Sequence, residues 1–276
     1  MDRRTRIHIL ALSVALAFGA TGCNKLAARD KLNKGVQAYK AGNMERAIEL
    51  FKESKELDPQ LLNSRLYLAT AYASQYIPGA PSEENTRNGD AAIKEFKEVL
   101  EVDANNISAI DGLGSILSNM AGNPFKKELF AESKSYHLKH IELQPNDPDP
   151  HYWMGFINWT LVYRSNDEIR SEYNKNARKP IKQDEELPAK VREEFVSKNA
   201  ALVEEGIKHL NQAVTIKPDY ASAFAYLNLL YRQKADLTPS KEEREEFLAK
   251  ADAYVEQYKV IKQKELERAS SGAPAT

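Results

Sequence analysis

The sequence is short of nearly everything that marks a catalyst, a polyanion binder or a disulfide scaffold. Its one cysteine, Cys23, leaves no partner for an intrachain disulfide. Charge of either sign is not in excess: 39 Lys and Arg stand against 40 Asp and Glu, which removes the electrostatic footprint expected of a nucleic-acid binder. The one long apolar run, Ile7 to Ala20, is 14 residues, short of the roughly 20 that a stable membrane-spanning helix needs. No His-Glu-x-x-His phrase, Gly-rich phosphate loop or nucleophile elbow occurs, so no enzyme activity and no cofactor is indicated. Carboxylate pairs such as Glu83-Glu84, Glu185-Glu186 and Glu242-Glu243 fall in loops or at helix starts, without an apolar pocket to tune them for acid–base work. No small-molecule substrate is expected. Glycine and proline number only 12 each and no Val/Ile/Thr alternation suggests a strand.

What is present is 42% hydrophobic and 29% charged residues, rich in Ala, Leu, Lys and Glu, the composition of a core-forming all-α protein. The N-terminus carries Arg3, Arg4 and Arg6, then the apolar run, then Ala20-Thr21-Gly22-Cys23, the order of a secretory leader with small residues at a cleavage site. This phrase resembles a bacterial lipobox, with Ala20 where that motif more often has Leu. The resemblance implies a signal peptide over 1–22, a lipidated Cys23 and a short lipidated tether over 23–28. A singly acylated protein binds membranes only marginally, and the multiply acylated cysteine of lipoproteins meets the need for a second chain. Asn24 stands where some bacteria place Asp to retain a lipoprotein in the inner membrane, so the resemblance implies the cell envelope, at the periplasmic face of the outer membrane.

An internal repeat is visible in Leu57-Asp58-Pro59, Leu143-Gln144-Pro145 and Ile216-Lys217-Pro218, with Val102-Asp103-Ala104 as a fourth phrase without the proline. Between Arg29 and Pro59, Gly35 and Ala47 are small enough to let two helices approach. Gly42-Asn43 turns the chain between those helices, and Ala47, Phe51 and Ser54 form one face of the second. These residues resemble a tetratricopeptide repeat. That implies a right-handed superhelical solenoid of about five antiparallel helix pairs over 29–268, followed by a disordered tail over 269–276. Spacings of 45, 41 and 73 residues between successive closing phrases exceed the repeat of about 34 residues and call for insertions near 75–89, 121–131 and 162–188. The first reads as a loop. The second reads as a helix starting early, at an Asn123 cap and Pro124. The third, polar and charged over Arg164 to Leu187, reads as a mobile loop or flap able to gate a groove.

The resemblance further implies that other proteins or peptides bind in a groove lined by the first helix of each pair. Its candidate lining is Tyr39, Lys40, Asn63, Leu66, Thr70, Asn119, Tyr152, Phe156, Trp159 and Arg232. Tyr152, Phe156 and Trp159 fall at i, i+4 and i+7 on one side of a helix, either as an interface hot spot or as internal packing. Leu32 and Val36 stand where some relatives carry a carboxylate-binding Lys/Asn clamp, so tail capture of that kind is not expected. His137 and His140, at i and i+3 on one helix, with His209 in the next unit's second helix, can be weighed as a zinc site, and packed core histidines are the simpler account of the first two.

Overall fold

The computed structural model describes residues 23–271 as helices joined by short turns. α1 covers 23–40, and α2 (Met44–Leu57), α3 (Leu62–Gln75), α4 (Glu83–Val102), α5 (Ile107–Gly122) and α6 (Lys127–Leu143) follow. Then come α7 (Pro148–Asn176), α8 (Ala189–Ile216), α9 (Ala221–Ala235) and α10 (Lys241–Ser270). The fold is an all-α helical repeat, and no helix among the described residues is long and apolar enough to cross a membrane. The leader over 1–22 and the last five residues of the tail lie outside the described residues.

The four closing phrases adopt one geometry. The backbone N–H of Asp58, Asp103, Gln144 and Lys217 donates to the carbonyl four residues back, at 3.1, 2.9, 2.7 and 2.8 Å. The carbonyl of the same residue accepts from the residue three ahead, Leu61, Asn106, Asp147 and Tyr220, at 3.0 to 3.1 Å. Each phrase therefore ends one helix and sets the first turn of the next, and Val102-Asp103-Ala104 does so without a proline. Side-chain caps complete many helix starts: Asn43, Ser82, Asn106, Asp147 and Ser240 each accept a backbone N–H in the first turn.

The described chain divides into two compact units, one ending at Ser133 and one beginning at Lys134. In the first, Leu32, Ala47, Phe51, Leu68 and Ala71 form a core between α1, α2 and α3. A side chain at Gly35 would put its Cβ 2.5 Å from the Phe51 ring, so glycine is what admits the phenylalanine. Ser54 is fully buried, with its hydroxyl donating to the Ala28 carbonyl at 2.7 Å and lying 2.7 Å from the Ser64 hydroxyl. Ala28 itself is 0% exposed, so residues 23–28 are the first turns of α1 and not the tether expected. Across the outer side, Lys55 and Arg65 meet Glu95 and Glu98, linking α2, α3 and α4.

All three insertions differ in part from their sequence reading. Residues 76–82 are the expected loop, turned at Gly79 (φ +78°) and tied down by Asn85, which exchanges two hydrogen bonds with the Ile77 backbone. Residues 83–89, also assigned to that insertion, belong to α4. Asn123 ends α5 and does not cap α6, which begins at Lys127, so the added length is shared by α5, the 123–126 turn and α6.

The second unit is built on α7 packed against α8 and α9, with α10 against α9. A Cβ at Gly155 would lie 2.2 Å from Leu210 Cγ, the close approach that sets α7 on α8. The segment expected as a flap is mostly helix, because α7 continues unbroken to Asn176. Most of its polar residues face water, but two do not. Asn166 and Arg170 are buried, and the Arg170 guanidinium donates to Asp236 at 2.8 Å, to Asn166 at 2.8 Å and to the carbonyls of Lys182 and Glu185. Asn174 closes the loop through two hydrogen bonds to the Ile181 backbone, and Leu187 is buried in the core. The insertion is thus pinned from inside at both ends.

Candidate functional site

α7 carries Tyr152, Phe156, Trp159 and Tyr163 at intervals of four, three and four, which places them along one side of the helix over roughly 16 Å. All four are half-buried or exposed, Tyr163 the most open at 40%. α9 lies against this side and inserts Tyr226 at its middle, with ring centroids 5.7 Å from Tyr152, 5.3 Å from Phe156 and 5.2 Å from Trp159. Tyr220, just before α9, stacks on Tyr152 at 5.1 Å, and Trp153 joins through Phe156 at 5.4 Å. Trp159 stacks on Tyr163 at 5.4 Å. Seven rings therefore make one continuous face, each fixed by its neighbours.

The polar atoms around the face are mostly committed. The Tyr220 hydroxyl donates to Asp149 at 2.9 Å. Burial, together with the neighbouring Tyr226 phenol, pushes the Tyr152 phenol well above its usual range. Burial raises Tyr226 and Tyr220 as well, so the phenols stay neutral. Behind the face, buried Asn158 accepts from Lys134 Nζ at 2.9 Å while Lys134 pairs with Glu205 at 2.7 Å, fixing α7 against α8. His137 stacks on the far side of Trp153, 5.7 Å between centroids and 5° from parallel.

Of the residues singled out in sequence, the structure unites Tyr152, Phe156 and Trp159. In the first unit Lys40, Asn63, Thr70 and Asn119 are exposed, while Tyr39 and Leu66 are half-buried. Thr70 Oγ1 donates to the Leu66 carbonyl, and Tyr39 packs on the α1–α3 core, so no comparable aromatic face forms there. Arg232 is turned to α10, where it pairs with Asp252 at 2.6 Å, and it does not line the face. The weighed zinc trio does not assemble either. His209 Nδ1 meets His151 Nδ1 at 2.9 Å, and His140 lies against Gln144 and Asp147. Among the described residues, no group of three or more His, Cys, Asp or Glu is placed to hold a metal. Cys23 is exposed at the start of α1. Sequence reasoning missed Tyr226, Tyr220, Trp153, Tyr163 and His151. The continuation of the α7 stripe to Tyr163 was available as a signal, whereas nothing in the sequence pairs α7 with Tyr226.

No family model matches the chain, and no curated protein matches it in sequence. Solved structures do match in fold. A crystal structure of MamA protein has 14% identity, covers 91% of this chain and 98% of that one, and gives a TM-score of 0.54. MamA from Desulfovibrio magneticus RS-1 gives 0.53 at 15% identity, over 83% of this chain and 96% of that one. YrrB, described as a tetratricopeptide repeat protein with an unusual peptide-binding site, gives 0.51 at 15% identity, over 85% and 90%. At these identities the likeness is one of fold.

Proposed function

We propose that the protein is a non-enzymatic interaction scaffold that binds a partner protein or peptide on the aromatic face of α7 and α9. Rigid, partly exposed Tyr and Trp rings offer large contact area at small cost in side-chain entropy, which is why they dominate interface hot spots. The observation that carries the reading is the convergence of seven rings from two helices on one face. Internal packing alone would have closed it over, yet Tyr163 is 40% exposed and its neighbours are half-buried. The peptide-binding site named for YrrB, a protein similar in fold, supports this reading by analogy.

The same proposal places the protein in the bacterial envelope, held to a membrane by acyl chains on Cys23 and facing the periplasm, at the outer membrane. The leader-like sequence before Cys23 and the exposure of the cysteine at the start of α1 support this part. Affinity capture from the native cell with wild-type and Trp159→Ala protein tests the binding role. The variant is expected to keep its helical content and lose its captured partner. Retention of every partner at unchanged affinity would contradict the role of this face.

A further inference from the structure

The rings on α7 and α9 have a chemistry narrower than that of a general hydrophobic surface. From Tyr152 to Tyr163, twelve consecutive residues include no Asp, Glu, Lys, Arg or His. The charges beside the rings lie at the Tyr220 end, where Lys217 Nζ stands 5.0 Å from the Tyr220 ring and Asp149 accepts from its hydroxyl, so along the α7 stripe charge complementarity favours an uncharged occupant. The face consists of flat rings and offers no aliphatic hole of the kind that receives the Leu or Ile knobs of an amphipathic helix.

Hydrogen-bond chemistry narrows the occupant again. Neither Trp153 nor Trp159 makes a hydrogen bond through its indole N–H among the described residues, so the face presents two uncommitted donors that cannot accept. Burial keeps the Tyr226 phenol neutral, so its hydroxyl carries a proton to donate. Asp149, the carboxylate at the Tyr220 end, already accepts from that hydroxyl. A ligand rich in hydroxyl donors, such as a sugar, finds few acceptors here. A ligand whose main chain offers carbonyls without N–H groups matches.

That ligand is an extended proline-rich chain. We propose that the aromatic face takes a proline-rich segment in the polyproline II conformation, its pyrrolidine rings against Tyr152, Phe156, Trp159, Tyr163 and Tyr226 and its carbonyls accepting from the indole N–H groups. The proposal rests on the reading of this face as a peptide-binding surface. Such a helix makes no internal hydrogen bonds, leaving its carbonyls to be satisfied from outside, and advances about 3.1 Å per residue. Two residues then cover about 6.2 Å, close to the 5.4 to 6.5 Å between successive rings from Trp153 through Phe156 and Trp159 to Tyr163. The roughly 16 Å of the stripe accommodates about five residues.

Trp153 and Trp159 are the only tryptophans of the chain, so intrinsic tryptophan fluorescence reports on this face without a label. The full chain is titrated with an oligoproline peptide, a Gly-Ser peptide of equal length, a helix-forming Ala/Leu/Lys peptide and a linear gluco-oligosaccharide. The oligoproline is expected to shift the emission saturably and to bind at least about tenfold tighter than the others, as recognition of a preformed helix implies. Trp159→Phe, which keeps the ring and removes the donor, should weaken it severalfold, and Tyr163→Ala, at the exposed end, should weaken it with the fold intact. Tighter binding by the helical peptide overturns the proline-rich class and leaves the peptide-binding face standing. Tighter binding by the oligosaccharide overturns both. No response to oligoproline, with a protein still crosslinking at Tyr163, overturns the proline-rich class alone.

Discussion

His151 on α7 and His209 on α8 meet through their Nδ1 atoms at 2.9 Å, a contact that needs one ring to donate and the other to present a lone pair. A neutral pair, one ring donating through Nδ1 and the other accepting, satisfies the contact. The contact tolerates no proton on both Nδ1 atoms, and it sits directly behind Tyr152.

Burial depresses both imidazoles, His209 to about 4, with repulsion from His151 adding to the shift on His209. Asp147 opposes the shift on His151 and Glu205 that on His209, while His140, Lys208 and Lys134 reinforce it. A histidine whose folded-state pKa lies below its unfolded value contributes stability that is complete above about pH 6.5 and is lost as pH falls toward 4. Thermal melts are expected to drop between pH 7 and pH 5, by about 1–2 kcal/mol after allowance for partial exposure. His209→Gln should flatten that slope. A wild-type melting temperature independent of pH over this window would contradict the pairing.

Gly155 and Leu210 define the closest approach of α7 to α8. Gly155→Ala forces the helices apart or the leucine off its rotamer and is expected to cost about 1–3 kcal/mol in urea unfolding. Leu210→Ala alone should cost about 2–5 kcal/mol through the cavity it leaves. Because the two act on the same space, the double variant should be more stable than the sum of the single losses, and strict additivity would show that the contact is not made.

Arg170 and Asp236 hold the insertion to the turn after α9. Removing one partner leaves the other charge buried, so Arg170→Met or Asp236→Leu alone should cost about 3–5 kcal/mol, and the double replacement less than their sum. Hydrogen exchange over 177–188 should accelerate in Arg170→Met. Fast exchange there in the wild type would restore the mobile flap.

The repeat was legible in the sequence because each closing phrase is local: an apolar helix end, a polar residue and a chain stop lie within three positions. The α7 stripe was legible for the same reason, through helical periodicity. The helical part of the insertion was not legible, because Arg170 and Asn166 are polar residues whose partners, Asp236 and Gln233, lie more than sixty positions away. Tyr226 escaped notice on the same account, since its contacts with α7 depend on tertiary packing. Residues 23–28 were assigned to a tether from the position of Cys23, although Ala28 has the small size that a buried helix contact needs.

Cys23→Ser is expected to abolish incorporation of labelled fatty acid and release the protein from membranes, while circular dichroism of the helical repeat stays unchanged. Membrane association that persists in the variant would remove the lipid anchor from the account.

The central claim is that the face built on Tyr226 and the α7 rings touches a partner protein. The most direct measurement is in-cell photo-crosslinking from a benzoylphenylalanine placed at Tyr163, the most exposed of the rings, beside the same probe at Val260 on α10, 52% exposed and outside that face. The account predicts a discrete protein adduct from position 163, abolished by Trp159→Ala, and none of that size from position 260. Equal adducts from both positions, or none from 163, would contradict it.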